Sequence, residues 1–280
     1  MARFTKAFVL GHPITHSRSP LIHNHWIKAH GIAGSYEAID VAPGMLAGFL
    51  MRVRSGEFAG GNVTVPLKEE AFAAVDCLTA TAQSIGAVNT VYLENAKLWG
   101  DNTDAYGFSA NLAKKAPEWE SCQNALIIGA GGASRAVVKS LVEAGFSEIR
   151  VLNRTLSRAQ DLATSFGPLV SSAPLEHFDK CTRRADLIVN TSTLGMAGYN
   201  EMTFDFSTAK STALVTDIVY VPLETGFLKS ARKVGLKTVD GLGMLLHQAV
   251  PGFERWFAVR PDVTPELRAM IEADLFKAKP

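Results

Sequence analysis

Short apolar runs alternate with amphipathic stretches along the chain. In the N-terminal part, these segments have the spacing of strands and helices in turn. The predicted elements are a strand at Phe8–Leu10, a helix at Pro20–Ala29, a strand at Tyr36–Val41, a helix at Pro43–Arg54, a strand at Phe58–Val65 and a hairpin of Val88–Leu93 with Lys97–Trp99. Gly60 and Gly61 indicate that other backbone lies close to the third strand. This order predicts an α/β domain.

A second series begins after a predicted helix at Ala105–Lys115 and a polar surface connection at Ala116–Asn124. Its predicted strands are Ala125–Ile128, Ile149–Leu152, Pro168–Ser171, Leu187–Asn190, Leu214–Val219 and Leu236–Val239. Helices separate most of these strands, as is typical of a parallel, doubly wound sheet. A last helix at Leu242–Trp256 is expected to pack back on the N-terminal domain.

The length of 280 residues exceeds the usual single domain of about 100 to 150 residues. We therefore expect two domains. The first covers 1–104 plus 242–280 and is an α/β substrate-binding and catalytic domain. The second covers 105–241 and is a Rossmann-type doubly wound domain.

Composition and charge narrow the class of protein. Hydrophobic residues make up 47% and charged residues 20%, as in ordinary globular proteins. Lys and Arg number 28 and Asp and Glu 27, so the net charge of +1 argues against a nucleic-acid partner. The apolar run Ala7–Leu10 is too short for a secretory signal or a membrane span. We expect a cytoplasmic protein with no membrane partner.

Cysteines and histidines give no metal-binding pattern. Cys77, Cys122 and Cys181 lie far apart without a CxxC pair, and we expect them to be buried and reduced. Four histidines cluster near the N-terminus, at His12, His16, His23 and His25, but no Cys or acidic ligand joins them before Glu37. No metal site is predicted.

A glycine-rich turn follows the first strand of the second series. Gly129 permits a tight turn, and Gly131 allows close approach of a pyrophosphate to the N-terminus of the following helix. Ser134 stands where the third glycine of GxGxxG is expected. The pattern is therefore weak by itself, but its place in a strand, turn, helix and strand order predicts dinucleotide binding.

The end of the next strand distinguishes the two nicotinamide dinucleotides. An NAD-binding domain carries Asp or Glu there, whereas this chain reads Asn153, Arg154, Thr155 and, three residues on, Arg158. Arginines at this position are suited to a 2′-phosphate, with Asn153 and Thr155 as neutral donors. The alternative is two solvated arginines at a helix start. We predict NADP rather than NAD.

Three polar clusters in the first domain stand where predicted strands end or begin. They are Gly11–Asn24, Gly61–Lys68, and Gly86–Thr90 with Asp101–Asp104. Each has a plain alternative, since serines cap helices, Asn and Asp close turns, and a lysine is often an exposed helix residue. Together they supply hydroxyls for a carboxylate and amides for ring hydroxyls, as a small polyhydroxylated acid requires.

Lys68 and Asp104 form a plausible proton-transfer pair. Desolvation in a partly closed cleft disfavours a charged ammonium, and a neighbouring carboxylate restores it. Such a balance is what general acid–base catalysis uses.

The chain resembles the shikimate dehydrogenase family from Leu10 to the predicted last helix. The motifs that carry the resemblance are Gly11–Pro20, Asn62–Lys68, Gly86–Thr90, Asn102–Asp104, Gly129–Ala136, Asn153–Thr155, Asn190–Met196, Asp217–Tyr220 and Gly241–Gln248. Ser192 and Thr193 depart from the family pattern, in which a Pro often precedes the Gly, so a local loop difference is expected there.

The resemblance implies an oxidoreductase. Its reaction is the reversible NADPH-dependent reduction of 3-dehydroshikimate to shikimate, in chorismate and aromatic amino-acid biosynthesis. It also implies a monomer or homodimer.

The resemblance assigns three groups of residues. Lys68 and Asp104 are the catalytic pair. Substrate binding falls to two serines that hold the carboxylate and four further contacts, at Ser17, Ser19, Thr64, Asn89, Tyr220 and Gln248. Cofactor binding falls to Gly129, Ala130, Gly131, Gly132, Ala133, Asn153, Arg154, Thr155, Arg158, Ile218 and Gly241.

Other functions remain open at the level of sequence. A quinate dehydrogenase or a methylenetetrahydrofolate dehydrogenase has a similar two-domain build, and side activity with quinate or NAD is compatible with these motifs. A non-catalytic NADP sensor is a different class of protein. Such a sensor would be expected to lose Lys68 or Asp104, and both are present.

Overall fold

The structure, a computed structural model, describes residues 4–194 and 204–277. The chain divides into two compact units, Met1–Thr103 with Leu246–Pro280, and Asp104–Leu245. The sequence predicted domain boundaries after residues 104 and 241. In the structure the boundaries between the units fall after residues 103 and 245.

The first unit alternates strands and helices before ending in a hairpin. Its elements, up to Thr103, are β1 Thr5–Gly11, α1 Ser19–Ala29, β2 Gly34–Asp40, α2 Leu46–Arg54, β3 Gly60–Val63, α3 Lys68–Ala74, β4 Cys77–Leu78, α4 Ala80–Ile85, β5 Thr90–Glu94 and β6 Lys97–Asp101. The predicted strands, helices and hairpin of this part are confirmed. The short elements α3, β4 and α4 lie outside the prediction.

The sheet of the first unit is mixed, with strand order β2-β1-β3-β5-β6-β4. β1 pairs in parallel with β2 and β3, whereas β5 runs antiparallel to β3 and β6. The register sets Asn62 opposite Thr90 and Thr90 opposite Asp101. The ends of β1, β3 and β6 therefore meet the start of β5 at one edge of the sheet, and the polar clusters meet there with them.

Aromatic packing fills one face of this sheet. The ring of Phe8 on β1 meets those of Phe49 and Phe58 edge-on, at centroid distances of 5.0 and 5.2 Å. Phe8 is fully buried, and burial of such a side chain contributes about 1.5–3 kcal/mol. A Cβ on Gly61 would overlap the Phe8 ring, which explains the glycine inside β3.

The second unit begins with a helix and then repeats strand and helix. Its elements are α5 Asp104–Lys115, a 3₁₀ turn Pro117–Ser121, β7 Asn124–Ile128, α6 Gly132–Glu143, β8 Glu148–Asn153, α7 Leu156–Phe166, β9 Val170–Pro174, a 3₁₀ turn Leu175–His177, α8 Phe178–Thr182, β10 Leu187–Asn190, β11 Leu214–Asp217, α9 Gly226–Lys233 and β12 Lys237–Val239. The predicted strands are confirmed, although β9 begins two residues later than the predicted Pro168.

The sheet of the second unit is parallel throughout, in the order β12-β11-β10-β7-β8-β9. Successive residues of β7 face opposite sides: Ile127 belongs to the core beneath α6, and Leu126 and Ile128 belong to the core that includes Phe227. Apolar residues on both faces are typical of a parallel sheet covered on both sides. The predicted Rossmann-type architecture is confirmed.

The C-terminal part contains two helices. α10 Leu242–Phe257 begins in the second unit and ends in the first, and α11 Pro265–Lys277 follows. In the first unit, Trp256 of α10 donates from Nε1 to the carbonyl of Val91 at 3.0 Å, so this helix packs on the N-terminal sheet as predicted. α10 is not the last helix, because α11 follows it. Leu267, Ile271 and Leu275 are the buried residues of α11.

The connection at 116–124 is mostly exposed or half-buried, as predicted, but it contains a 3₁₀ turn whose Trp119 is only 4% exposed, because the indole packs near Phe146. The prediction of three buried cysteines is wrong for two of them: Cys181 is buried, whereas Cys77 and Cys122 are half-buried. Among the residues that the structure describes, no helix combines the length and apolar character needed to cross a membrane.

Candidate active site

The glycine loop joins β7 to α6 at the centre of the parallel sheet, where the strand order reverses. Gly129 has a φ of +107°, and a Cβ there would lie 2.8 Å from Oγ1 of Thr191. Gly131 caps α6, and a Cβ on Gly131 or Gly132 would point into open space. The first glycine is therefore required by the turn. The other two leave room at a helix N-terminus, as a pyrophosphate requires.

Ser134 takes the place of the third glycine and is completely buried. Its hydroxyl accepts a hydrogen bond from the backbone N–H of Gly131 at 3.1 Å and lies 2.6 Å from the hydroxyl of Thr191. Thr191 in turn contacts the carbonyl of Ile128 at 2.8 Å. The serine thus fixes the loop to the end of β10. The flanking Ala130 and Ala133 are half-buried.

The end of β8 carries the residues predicted to select the cofactor. Asn153 donates from Nδ2 to the carbonyl of Thr155 at 2.8 Å, and Thr155 is the N-cap of α7. Arg154 and Arg158 are both exposed, and within the described chain no carboxylate forms an ion pair with either guanidinium. Two uncommitted cations beside a helix start fit a 2′-phosphate, so this unit fits NADP.

The ends of β11 and β12 lie against each other. A Cβ on Gly241 would come within 2.7 Å of the carbonyl oxygen of Asp217, so this position requires glycine. Ile218, the residue after Asp217, is half-buried against the core of this unit. Tyr220 is also half-buried. The structure therefore brings Ile218 and Gly241 together.

Asp217 begins one of the family motifs but was not predicted as a site residue, and its carboxylate is completely buried. It accepts hydrogen bonds from Nδ2 of Asn190 at 3.0 Å, from the N–H of Val219 at 2.9 Å and from the hydroxyl of Thr225 at 2.6 Å. Burial raises the pKa of this carboxyl to about 6, against the effect of its three donors. The motif Asn190–Met196 extends beyond the described residues, because 195 and 196 lie outside them.

In the first unit, Ser17 lies between β1 and α1, and Ser19 is the first residue of α1. The N–H of Ser17 bonds to the carbonyl of Ile14, and the N–H of Ser19 donates to Oγ of Ser17 at 3.3 Å. Neither hydroxyl caps α1, whose N-cap is Arg18. Arg18 donates from Nε to Asp274 on α11 at 3.2 Å and from Nη1 to the carbonyl of His16 at 2.6 Å. The serine loop is therefore tied to the C-terminal helix.

Thr64 and Lys68 follow β3 at the same edge. Thr64 donates its N–H to the carbonyl of Leu10 at 2.8 Å, and Lys68 is the first residue of α3. The carbonyl of Lys68 accepts from the N–H of Val88 at 3.0 Å. Both side chains are half-buried.

Asn89 lies in a buried hydrogen-bond network of the first unit. Its Oδ1 accepts from the hydroxyl of Thr90 at 2.8 Å and from the N–H of Thr103 at 2.9 Å, and its Nδ2 donates to the hydroxyl of Thr103 at 3.1 Å. Gln248 on α10 joins through Thr103, at 3.5 Å. Thr90 and Thr103 were not predicted as site residues. Their hydrogen bonds to Asn89 depend on the folded arrangement of these segments, which the local sequence does not show.

The structure thus groups Ser17, Ser19, Thr64, Lys68, Asn89 and Gln248 in the first unit. Asp104, the first residue of α5, and Tyr220 belong to the second. As for metals, no group of three or more His, Cys, Asp or Glu side chains suited to an ion occurs within 4–194 or 204–277. His23 is buried among aromatic rings instead.

A parallel sheet with a glycine loop at its reversal point, followed by an arginine-bearing strand end, defines a dinucleotide-dependent α/β dehydrogenase class. Family models agree. The substrate-binding domain model of shikimate dehydrogenase matches residues 9–91, the shikimate/quinate 5-dehydrogenase model matches 111–242, and the shikimate 5′-dehydrogenase C-terminal domain model matches 241–272.

Individual relatives cover the whole chain. The shikimate dehydrogenase (NADP(+)) of Brucella abortus (strain S19) is 56% identical over 281 aligned residues, covering 99% of this chain and 97% of the relative. The shikimate 5-dehydrogenase of Thermus thermophilus, solved with NADP(H) and shikimate, superposes with a TM-score of 0.85 at 39% identity. The match covers 97% of this chain and 99% of the Thermus chain. The quinate dehydrogenase of Corynebacterium glutamicum, solved with NAD, has a TM-score of 0.88 at 30% identity, covering 97% and 100%. The chain belongs to the shikimate dehydrogenase family.

Proposed function

We propose that the protein catalyses the reversible oxidation of shikimate to 3-dehydroshikimate with NADP. The observation that carries the proposal is the convergence of four polar segments at one edge of the first sheet, where β1, β3 and β6 end and β5 begins. The names of the Brucella abortus and Thermus thermophilus relatives support the same substrate and cofactor.

Ser17 and Ser19 are proposed to bind the substrate carboxylate. The Oγ of Ser17 already accepts from the N–H of Ser19, so the hydroxyl hydrogen of Ser17 is available for an external acceptor. The two serine hydroxyls, on either side of Arg18, bind a carboxylate as neutral hydrogen-bond donors. Because they need no positive charge for this, Lys68 can serve the reacting oxygen of the substrate.

Thr64, Asn89, Tyr220 and Gln248 are proposed to contact the ring substituents. Hydroxyl and amide groups both donate and accept, so they match ring hydroxyls, which do the same. Asn89 is held firmly, because its amide oxygen accepts from the hydroxyl of Thr90 and from the N–H of Thr103.

Lys68 and Asp104 are proposed as the acid–base pair. Oxidation of an alcohol requires removal of the hydroxyl proton, and the reverse reduction requires its return to the oxygen. Lys68 holds that proton as an ammonium and Asp104 orients it. NADP, when bound, accepts the hydride from the alcohol carbon and supplies it in reverse.

Cofactor binding is proposed to use the glycine loop with Ala130 and Ala133, the strand end with Asn153, Arg154, Thr155 and Arg158, and Ile218 with Gly241. Gly131 and Gly132 leave the N-terminus of α6 open for a pyrophosphate. We further propose that the enzyme is cytoplasmic. We also propose that it acts as a monomer or homodimer, and sedimentation of the purified protein will test this oligomeric state.

A spectrophotometric assay tests the function. Purified protein should increase absorbance at the NADPH band with shikimate and NADP. Quinate in place of shikimate, or NAD in place of NADP, should give a much lower rate at equal concentration. Turnover of quinate alone, or equal rates with both cofactors, contradicts the proposal.

A further inference from the structure

The buried carboxylate of Asp217 stands at the end of β11 in the second unit. Its Oδ2 accepts from the hydroxyl of Thr225, and its Oδ1 accepts from the N–H of Val219 and from Nδ2 of Asn190. Thr225 and Val219 are neighbours of Asp217 in sequence. Asn190 ends the adjacent strand β10, so its bond to Asp217 connects two strand ends at the edge where the cofactor site lies.

The carboxylate determines which way the Asn190 amide faces. Burial raises the pKa of Asp217 to about 6, so at pH 8 both of its oxygens accept hydrogen bonds and donate none. The amide nitrogen of Asn190 therefore faces Asp217, and the amide oxygen points away. Asn190 is completely buried, so a reversed amide would bring two oxygens together without a hydrogen between them, which is costly in the protein interior.

Asn190 in turn holds the segment 191–194, which follows β10. Its amide oxygen accepts from the N–H of Ser192 at 3.1 Å and from the hydroxyl of Ser192 at 2.7 Å. Its amide nitrogen donates to the carbonyl of Leu194 at 3.2 Å, and the N–H of Leu194 donates to Oγ of Ser192 at 3.3 Å. Reversal of the amide would break all three bonds from Asn190 to this segment. The conformation of 191–194 therefore depends on the amide orientation that Asp217 sets.

The segment 191–194 lies against the glycine loop. A Cβ on Gly129 would come within 3.0 Å of the backbone nitrogen of Ser192. The segment and the glycine loop follow the neighbouring parallel strands β10 and β7, where the strand order reverses. A dinucleotide binds across such a reversal, with its two halves on opposite sides. β8, followed by Arg154, lies on the other side of β7. With the 2′-phosphate at Arg154, the segment 191–194 borders the nicotinamide half.

We propose that Asp217 is a positioning residue of the cofactor site, which orients the Asn190 amide and thereby holds the segment 191–194 against the nicotinamide half of NADP. Asp217 acts through Asn190 and not on the cofactor directly. Its role is distinct from that of Arg154 and Arg158, which are proposed to bind the opposite end of the same molecule. The inference rests on the proposed function for the use of NADP, whereas the order of hydrogen bonds is a property of the chain.

Binding measurements at pH 8, without substrate, test the role. Fluorescence titration gives the dissociation constant of NADPH. Calorimetric titration gives that of adenosine 2′,5′-bisphosphate, which has the 2′-phosphate but no nicotinamide. Asp217→Ala should raise the dissociation constant of NADPH by about tenfold, as loss of a buried hydrogen bond predicts, and leave that of the bisphosphate within about twofold. Replacement of Arg154 and Arg158 by Ala should weaken binding of both. If Asp217→Ala binds NADPH within twofold of the wild type, the proposal is overturned.

Two variants separate positioning from stability. Asp217→Asn keeps an amide oxygen that accepts from Asn190, so it should bind NADPH within twofold of the wild type. Thr225→Val removes the hydroxyl that bonds to Oδ2 of Asp217, whereas Asn190 bonds to Oδ1. Thr225→Val should therefore lower the melting temperature and leave NADPH binding unchanged. If Thr225→Val weakens NADPH binding as much as Asp217→Ala does, Asp217 contributes to stability alone and the proposal is overturned.

Ser192→Ala provides a second test at a half-buried position, which serves also where Asp217→Ala does not fold. It removes the hydroxyl that bonds to Asn190 and Leu194, so it should weaken NADPH binding and spare the bisphosphate. The double variant Asp217→Ala/Ser192→Ala should bind NADPH little worse than the weaker-binding single variant, since both break the same path. Additive losses of affinity, or unchanged NADPH binding by Ser192→Ala, overturn the proposal.

A spectroscopic measurement separates this inference from the proposed function. In ¹⁵N-labelled protein without cofactor, Asp217→Ala should shift the backbone amide resonances of Ser192 and Leu194, and unchanged resonances overturn the inference. If the wild type binds NADPH but does not oxidise shikimate, while Asp217→Ala weakens NADPH binding alone, the proposed function fails and the inference stands. A wild type that oxidises shikimate, with an Asp217→Ala variant that binds NADPH normally, gives the reverse. Failure of the wild type to bind NADPH overturns both.

Discussion

The hydroxyls of Ser134 and Thr191 lie 2.6 Å apart and connect the glycine loop to the end of β10. Ser134 also accepts a hydrogen bond from the N–H of Gly131, so a single buried hydroxyl bonds to one residue of its own loop and to one that is 57 residues away. A glycine at this position would leave both without that partner. The departure from GxGxxG is therefore a different way of holding the same loop.

Ser134→Ala should reduce stability and cofactor affinity together. The N–H of Gly131 and the buried hydroxyl of Thr191 each lose one hydrogen bond, and such a loss costs about 1–3 kcal/mol of unfolding free energy. Urea unfolding measures this cost, and the KM for NADP should rise with it. Ser140 on the same helix is the control, because its hydroxyl is buried with no partner among the described residues. Ser140→Ala should leave both quantities unchanged, and equal effects of the two variants would contradict the role of Ser134.

Arg154 and Arg158 should discriminate between the two dinucleotides. Replacing both with Ala removes charge-assisted hydrogen bonds worth about 1.5–3 kcal/mol each, so the KM for NADP should rise by at least about tenfold. NAD lacks the 2′-phosphate, so its KM should change little. Arg183, an exposed arginine of the same unit, gives the control Arg183→Ala. An equal loss with NAD and NADP would mean that the arginines do not contact the phosphate.

Asp217 predicts a pH dependence of stability with a definite sign. Its pKa is about 6 in the folded protein and 3.8 for the unperturbed carboxyl. The stabilising contribution is therefore complete below about pH 3.8 and is lost as the pH rises through 6. A shift of about two pKa units corresponds to about 3 kcal/mol.

Asp217→Asn removes this titration without removing the hydrogen bonds. The amide oxygen still accepts from Asn190 and Val219, and the amide nitrogen can donate to Thr225. Unfolding free energies measured in urea at pH 4, 5, 6 and 7 should show the variant gaining on the wild type as the pH rises. Asp205→Asn should show the opposite trend, because hydrogen bonds from Ser207 lower the pKa of Asp205. Parallel curves for Asp217→Asn and the wild type would contradict the assignment.

The sequence predicted those parts of the fold that depend on neighbouring residues. The apolar run at Ala125–Ile128 and the glycines after it predicted a strand, a turn and a helix, and β7 and α6 are found there. β4 has only two residues, which is too short for any period to appear. α11 was missed although Leu267, Ile271 and Leu275 have helical spacing.

The site was predictable only at the level of residue types. Polar clusters at strand ends indicated Ser17, Lys68 and Asn89, but not which hydrogen bonds hold them. Asn190 and Asp217 are 27 residues apart, and Ser134 and Thr191 are 57 apart. Such pairs depend on strand order and register, which local patterns do not contain. Thr191 also looks like an ordinary turn residue in sequence, so its contact with Ser134 could not be anticipated.

Lys68 is the residue on which the proposed chemistry depends most. Lys68→Ala should lower kcat by about 10²–10⁴-fold, the usual contribution of a general acid–base group. Lys68→Arg should be nearly as poor, because arginine keeps the charge but does not give up its proton. Neither should change the dissociation constant of NADP measured by fluorescence titration, since Lys68 lies in the first unit with the predicted substrate ligands.

An exposed lysine on α1, Lys28, supplies the matched control. Lys28→Ala should retain wild-type kcat, which separates loss of the catalytic group from loss of one positive charge. Turnover at the wild-type rate in Lys68→Ala would remove Lys68 from the mechanism and leave proton transfer to another group at the sheet edge.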